Sequence, residues 1–255
     1  MTLSRKELEH YLNELLTPKR FQDYGPNGLQ IEGTDSIKRI AFAVSATAAS
    51  AQQAISLGCD TLIVHHGLFW GFHPVKTLTG SFGRRVRPLV QNNINLFGYH
   101  LPLDAHPEMG NAATLGQKIG LINQQPFGNY KGMPTGISGQ FTSAVTATEL
   151  KQKLAQLLDH NVLVSTHDSN AKIASMGIIT GGANGDWYQA ERAGLDAYLT
   201  GEMSEHDWHE SQEAGVHMFA GGHHATEQFG IQALMAKIQE QFGVKCDFVN
   251  SNNPA

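Results

Sequence analysis

The feature that most constrains this chain is a short apolar run, Thr61-Leu62-Ile63-Val64, that ends in two adjacent histidines, His65 and His66. Such a run, flanked by Asp60 and Gly67, reads as a buried strand with its histidines at the C-terminal end. The arrangement recurs. Strand-like Ile94–Tyr99 is followed within five residues by Asp104, Leu195–Leu199 by Glu202, and Val216–Ala220 by the cluster His223-His224-Ala225-Thr226-Glu227. Open α/β sheets bind ligands along the edge formed by the C-terminal ends of their strands. A chain that places metal-ligand residue types there is expected to be an α/β protein with its chemistry on that edge.

The rest of the pattern supports this class. Ser4-x-x-Glu7 reads as a capping box opening an amphipathic helix with Leu8, Leu12, Leu15 and Leu16, which ends before Pro18. Asn27-Gly28 reads as a turn. A strand over 38–45, a helix ended by Gly58, and a helix over about 82–92 follow. From about Gly120 to Gly139 the composition shifts to Gly, Pro, Asn and Gln, which suggests a crossing between domains. Thr146-x-x-Glu149 then caps a helix with Leu150, Leu154, Leu157 and Leu158. Strands near 161–166 and 172–179, helices near 186–193 and from Ser204, a helix over about 225–241 and a strand Lys245–Val249 complete the alternation. Strand–helix alternation in both halves predicts two α/β units with mixed sheets flanked by helices.

Composition excludes some classes. A formal charge of −5 argues against a generic nucleic-acid binder, because neutralising phosphates needs a basic surface. The cluster Arg84-Arg85-x-Arg87 is expected to be a solvated helix face. No apolar stretch approaches the ~20 residues of a membrane span, and Met1-Thr2-Leu3-Ser4-Arg5-Lys6 has no signal-peptide core. The two cysteines, Cys59 and Cys246, lie in apolar strand-like surroundings and are expected to be buried thiols in a reducing cytoplasm.

The chemistry concentrates in His65, His66, Asp104, His223 and Glu227. Imidazole and carboxylate ligate first-row metals, and a carboxylate can bridge two ions. His223 and Glu227 are four apart at a helix start and can face one point. Adjacent extended residues point to opposite sides, so one ion can hardly take both His65 and His66 from a regular strand. Two ions, each taking one histidine, fit a strand end that bends, with Asp104 or Glu227 between them. Ligand type allows Zn, Mn, Fe, Co or Ni. Glu202, in Thr200-Gly201-Glu202, reads as a general base, a substrate contact or a charge at a helix N-terminus. Thr180-Gly181-Gly182-Ala183-Asn184-Gly185-Asp186 reads as a tight turn, with phosphate contact as the alternative. His100 and His224 neighbour the ligand clusters and are expected to line the cavity behind them. His10, His73, His160, His167 and His217 read as ordinary hydrogen-bonded histidines, as do His106, His206 and His209.

These motifs together resemble the YbgI-like, NIF-three-like family, whose members carry the name GTP cyclohydrolase I type 2 homologue. The likeness runs over nearly the whole chain. It rests on Pro26-Asn27-Gly28-Leu29-Gln30, Val64-His65-His66-Gly67, His100-Leu101-Pro102-Leu103-Asp104-Ala105-His106-Pro107, Thr200-Gly201-Glu202, Gly222-His223-His224-Ala225-Thr226-Glu227 and Asn253-Pro254-Ala255. The resemblance implies two interlinked α/β domains, residues 1–122 with 215–255 and residues 123–214. It implies a dinuclear metal centre on His65, His66, Asp104, His223 and Glu227, within a toroidal homohexamer. Two function classes follow. One is a metal-dependent hydrolase, GTP cyclohydrolase-like, acting on a small nucleotide or phosphorylated substrate. The other is a metal-delivery chaperone or scaffold without catalysis.

Overall fold

Runs of β-branched and aromatic residues form the central strands, and amphipathic helices connect them. In the computed structural model, which describes residues 3–255, the chain forms two units: the segment up to Leu103 with Ile231–Asn252, and Asp104–Gly230 with Asn253–Ala255. Met1 and Thr2 of the opening segment lie outside the described residues.

The first unit opens with β1 (Leu3–Ser4), α1 (Arg5–Leu16), β2 (Gly28–Ile31) and β3 (Ser36–Ile37), which pairs antiparallel with β1. Ser4 Oγ accepts from the Glu7 amide at 3.2 Å, which is half of the expected capping box. The helix buries Leu8, Leu12 and Leu16, one stripe at four-residue spacing. Next come β4 (Arg39–Ser45), α2 (Ala48–Ser56), β5 (Thr61–His66), α3 (Gly80–Gln91), β6 (Asn95–Gly98) and the short α4 (Leu101–Asp104), whose last residue belongs to the second unit. β4, β5 and β6 run parallel, with Phe42 opposite Ile63 and Ile63 opposite Phe97, and β2 closes the sheet antiparallel to β6. β5 is apolar without alternation because Thr61 to His65 are all buried. Arg84, Arg85 and Arg87 of α3 are exposed, as a solvated face should be.

The second unit contains α5 (Asn111–Ile119), β7 (Leu121–Phe127), β8 (Gly136–Thr146), α6 (Ala147–Leu158), β9 (Leu163–Ser165), β10 (Lys172–Ile178), α7 (Trp187–Arg192), β11 (Ala197–Thr200), α8 (Glu205–Glu213), β12 (His217–Ala220) and α9 (His223–Thr226). Its sheet has the order β7-β8-β10-β11-β12-β9. β10, β11 and β12 are parallel; the other neighbours are antiparallel. Leu150, Leu154 and Leu158 of α6 pack with Ile173, Met176, Ile178 and Phe219 in one core. α10 (Gln228–Phe242) then leads to β13 (Lys245–Phe248), which joins the first unit's sheet parallel to β4.

The stretch 120–139, rich in Gly, Pro, Asn and Gln, holds β7 and most of its antiparallel pairing with β8. Its alternation is hidden by an irregularity between Ile122 and Gln125, where Asn123 takes φ 54°. The chain passes between units at 103/104, 230/231 and 252/253. β12, beyond residue 215, is hydrogen-bonded between β11 and β9 and so sits in the second unit's sheet. Both cysteines are free thiols; Cys59 is buried as expected, but Cys246 is only half-buried. No helix among the described residues is long and apolar enough to cross a membrane.

Candidate metal centre

In the first unit the parallel strands deliver three histidines to one edge. His65 is fully buried, and His66, the last residue of β5, is half-buried. His100 follows β6 by two residues. Strand alternation should send the rings of His65 and His66 apart. Instead their centroids are 4.6 Å apart, and His100 lies 5.0 and 5.6 Å from them. One ring nitrogen from each lies within 4.8 Å of the other two, close enough for the three to hold an ion. The rings come together although both residues lie within β5, as its last two positions. Back-bonds fix them there: His65 Nδ1 donates to the Tyr99 carbonyl at 3.1 Å, and His66 Nδ1 is 3.1 Å from Ser45 Oγ.

His100 is held by a residue the sequence did not single out. Asp23 Oδ1 accepts from His100 Nδ1 at 2.7 Å, and Asp23 also accepts from the Tyr24 and Leu101 amides and from Asn27 Nδ2. Asn27 Oδ1 in turn accepts the His100 amide at 2.7 Å. Burial would push the Asp23 carboxyl up, but its bonds to His100, Asn27 and Tyr24 outweigh that and hold it below the usual carboxylate range. Trp70 stands edge-on to His100, with centroids 5.0 Å apart at 88°. A small pocket opens here, with His65, His100, Trp70, Phe69 and Pro26 on its walls. Gln30 of the Pro26–Gln30 motif braces it, accepting from the Leu68 amide and donating to the Pro26 carbonyl, both at 2.8 Å.

In the second unit β10, β11 and β12 end side by side and deliver Thr180, Glu202 and His223. His223 lies between two carboxylates. Its Nδ1 is 2.5 Å from Glu202 Oε1 and its Nε2 is 3.2 Å from Glu227 Oε2. Burial pulls the imidazole's pKa down, but Glu227 and Glu202 outweigh it and raise it to about 9. Glu227 and Asp104 are buried, and a carboxylate oxygen of each lies within 4.8 Å of the other. Asp104 Oδ1 accepts from Asn111 Nδ2 at 2.8 Å and from Thr180 Oγ1 at 3.4 Å, which fixes its orientation. An imidazole between two carboxylates, with a third carboxylate within 4.8 Å of one of them, is an arrangement that attracts cations.

The glycine loop after β10 belongs to this cluster. Gly181 has φ +72°, and a Cβ there would run into the Glu227 carboxylate and crowd His223 Nε2. Its amide donates to Thr226 Oγ1 at 3.2 Å. Glycine is therefore needed at 181 for close approach to the Glu227 carboxylate. His224 is buried, and its backbone amide donates to the Ala255 carbonyl at 2.9 Å, while His160 Nε2 lies 2.9 Å from the Pro254 carbonyl. The closing Asn253-Pro254-Ala255 motif is thus tied to the base of the His223 helix. His106 Nδ1 accepts from the Glu108 and Met109 amides, and His206 and His209 are exposed.

The Duf34/NIF3 (NGG1p interacting factor 3) family matches residues 3–254. A relative from Vibrio cholerae named GTP cyclohydrolase 1 type 2 homolog is 40% identical over 255 residues, covering 99% of this chain and 100% of the relative. The solved structure of protein ybgI, described as of unknown function, superposes with a TM-score of 0.93 at 37% identity, covering 99% of this chain and 100% of that one. A structure from Thermus thermophilus superposes with a TM-score of 0.88 at 32% identity, again covering 99% and 100%. By sequence and by fold, the chain belongs to the Duf34/NIF3 family.

Proposed function

We propose that this chain holds two divalent ions on His65, His66, Asp104, His223 and Glu227. With them it hydrolyses a small nucleotide or phosphorylated molecule in the manner of a GTP cyclohydrolase. The observation that carries the reading is the setting of His223, an imidazole between Glu202 and Glu227 that holds a proton where a cation would serve as well. The donor set fits Zn, Mn, Fe, Co or Ni, all of which take imidazole with carboxylate. Paired ions on such ligands supply Lewis acidity and activate water at neutral pH.

The chain's own groups supply orientation and proton handling. Asn111 and Thr180 hold Asp104 Oδ1, and Gly181 leaves room for Glu227. Glu202 is half-exposed, so its Oε1 can take the His223 Nδ1 proton and pass it to solvent or substrate. Hydrolytic opening of the GTP base, with formate released from its imidazole carbon, fits this chemistry, and the relatives' name supports it. The resemblance also supports a toroidal homohexamer, and two thiols without a disulfide support a reducing, cytoplasmic setting.

Elemental analysis tests the ligands: Glu227→Ala should hold less metal than wild type, and unchanged content refutes the assignment. A screen of metal-loaded protein against nucleotides and phosphoesters, with Asp104→Ala as the blank, tests the reaction. A wild type inert across that screen that passes metal to an acceptor apoprotein is a delivery protein instead. A monomeric mass by light scattering at micromolar concentration refutes the hexamer.

A further inference from the structure

The loop that joins β5 to α3 is too long and too apolar for a plain surface connection. It runs over thirteen residues, Gly67 to Thr79, where about 2–6 is usual for a strand-to-helix link, and loops of that length usually carry function. Phe69, Phe72, Val75 and Leu78 on it are all exposed, Phe72 at 64%. Resting on the reading above of a small nucleotide or phosphorylated substrate, we propose that this loop is the subsite that recognises a nucleoside phosphate. Trp70 and Phe72 stack its base, and Lys76 takes its phosphate.

Ring geometry supports the base. Trp70 and Phe72 lie nearly parallel, with centroids 5.6 Å apart at 25°. Tyr24 and His73 brace Phe72 edge-on, at 6.1 and 4.7 Å. Rings fixed by one another in this way present ready π faces, and bases of every kind stack on such faces. Place matters too. Trp70 stands edge-on to His100 and lies 5.9 Å from the His66 ring. A base seated against Trp70 therefore has these two histidines one side chain away.

Charge supports the phosphate. Between Asp60 and Asp104 the chain has no carboxylate side chain, yet it carries Lys76, Arg84, Arg85 and Arg87. In a chain of net charge −5 these form a local excess of cations, all on this loop and on α3. The rest of the chain is more acidic still, which opposes a long polyanion and favours a single nucleotide. Lys76 Nζ donates to His73 Nδ1 at 2.7 Å and sits 5.4 Å from the Phe82 ring centroid. His73 packs on Phe72, so one path of contacts joins the ammonium to the stacked rings. Neither of these partners of Lys76 is an anion, which leaves its charge to a phosphate.

The test measures binding by calorimetry on full-length protein in chelator, so that no turnover intervenes. The probes are GTP, guanosine and tripolyphosphate. Wild type is expected to bind GTP more tightly than either fragment, and GTP should quench tryptophan fluorescence. Phe72→Leu should weaken GTP and guanosine by about 5–150-fold, the range for loss of one stacked base, and leave tripolyphosphate unmoved. Lys76→Gln should weaken GTP and tripolyphosphate by about two- to fivefold and spare guanosine. Trp70→Phe keeps a ring, so affinity should hold within about threefold while the quenching is lost. Val75→Ser, on the same loop at 98% exposure, should change none of these readouts. Phe72 and Lys76 are exposed, so their substitution removes no core packing.

Wild type that binds no GTP overturns the subsite, as does an equal loss of all three probes in Phe72→Leu. A single-stranded oligonucleotide bound about a hundredfold more tightly than GTP makes the patch a nucleic-acid surface and also overturns it. So does a fall in mass by light scattering in Phe72→Leu, since the patch is then a contact between copies. GTP bound through Phe72 and Lys76, with no hydrolysis by metal-loaded protein, sinks the hydrolase reading and leaves the subsite standing. Hydrolysis with a KM that ignores both substitutions does the opposite.

Discussion

Replacing Gly181 by alanine perturbs the second unit's cluster at a single carbon, and the structure separates its two costs. Gly181 is buried with φ +72°, and its added Cβ would meet the Glu227 carboxylate. Gly194 has a similar φ of +65° but is exposed with nothing within 4 Å of an added Cβ. Gly185 is exposed, has no positive φ, and is also open. The left-handed backbone costs an L-residue about 1–2 kcal/mol, so Gly194→Ala should lose about that much. Gly185→Ala should be neutral or gain about 0.4–1 kcal/mol. Gly181→Ala carries the same backbone cost plus displacement of Glu227, for a total of about 2–4 kcal/mol. At ~2–4 °C per kcal/mol for a chain of this size, that lowers Tm by about 4–16 °C. The assay is thermal unfolding by circular dichroism in chelator, followed by a zinc titration of each variant. Only Gly181→Ala should also weaken metal binding, by at least tenfold, because it alone moves a carboxylate of the proposed centre. If Gly181→Ala matches Gly194→Ala in both stability and metal affinity, the close approach to Glu227 has no energetic meaning and the steric account is refuted.

Other expectations follow from the same geometry. In metal-free protein the His223 ring should titrate near pH 9 by NMR, and Glu202→Gln should lower that value; a ring that titrates at its ordinary value in both proteins contradicts the two-carboxylate setting. Because its folded pKa is raised, the stabilisation from His223 is complete below about pH 6.5 and is lost as pH rises through about 9, so metal-free wild type and His223→Gln should converge in urea unfolding across that window. Asp23 has the opposite sign. Its depressed carboxyl stabilises the fold above its unfolded value near 3.8 and loses that effect as pH falls through its lower folded value, so the gap between wild type and Asp23→Asn should be flat near neutrality and shrink in acid. Leu154→Ala, at a fully buried position of α6, should cost about 2–5 kcal/mol in urea unfolding, and a cost under 1 kcal/mol would show that α6 is not a core element.

Much of this protein is written in local pattern. β5 is legible because a strand buried on both faces must be continuously apolar, and α1 and α6 because a helix with one buried face repeats leucine at three and four residues. The groups that could hold a metal are legible too, since His65-His66, Asp104 and His223-x-x-x-Glu227 stand at or just beyond strand ends. What the sequence hid has a common cause. β7 was missed because a register irregularity at Asn123 breaks the two-residue period that would reveal it. Glu202 could be read as a base, a substrate contact or a helix charge until folding brought it 2.5 Å from His223, 21 residues away in the chain. Asp23 carried no signal beyond its closeness to the Pro26-Asn27-Gly28 motif, yet it reaches His100 across 77 residues. Periodicity records only which side of an element is buried. Which polar groups meet depends on strand order and on where each strand stops, and neighbouring residues do not encode that.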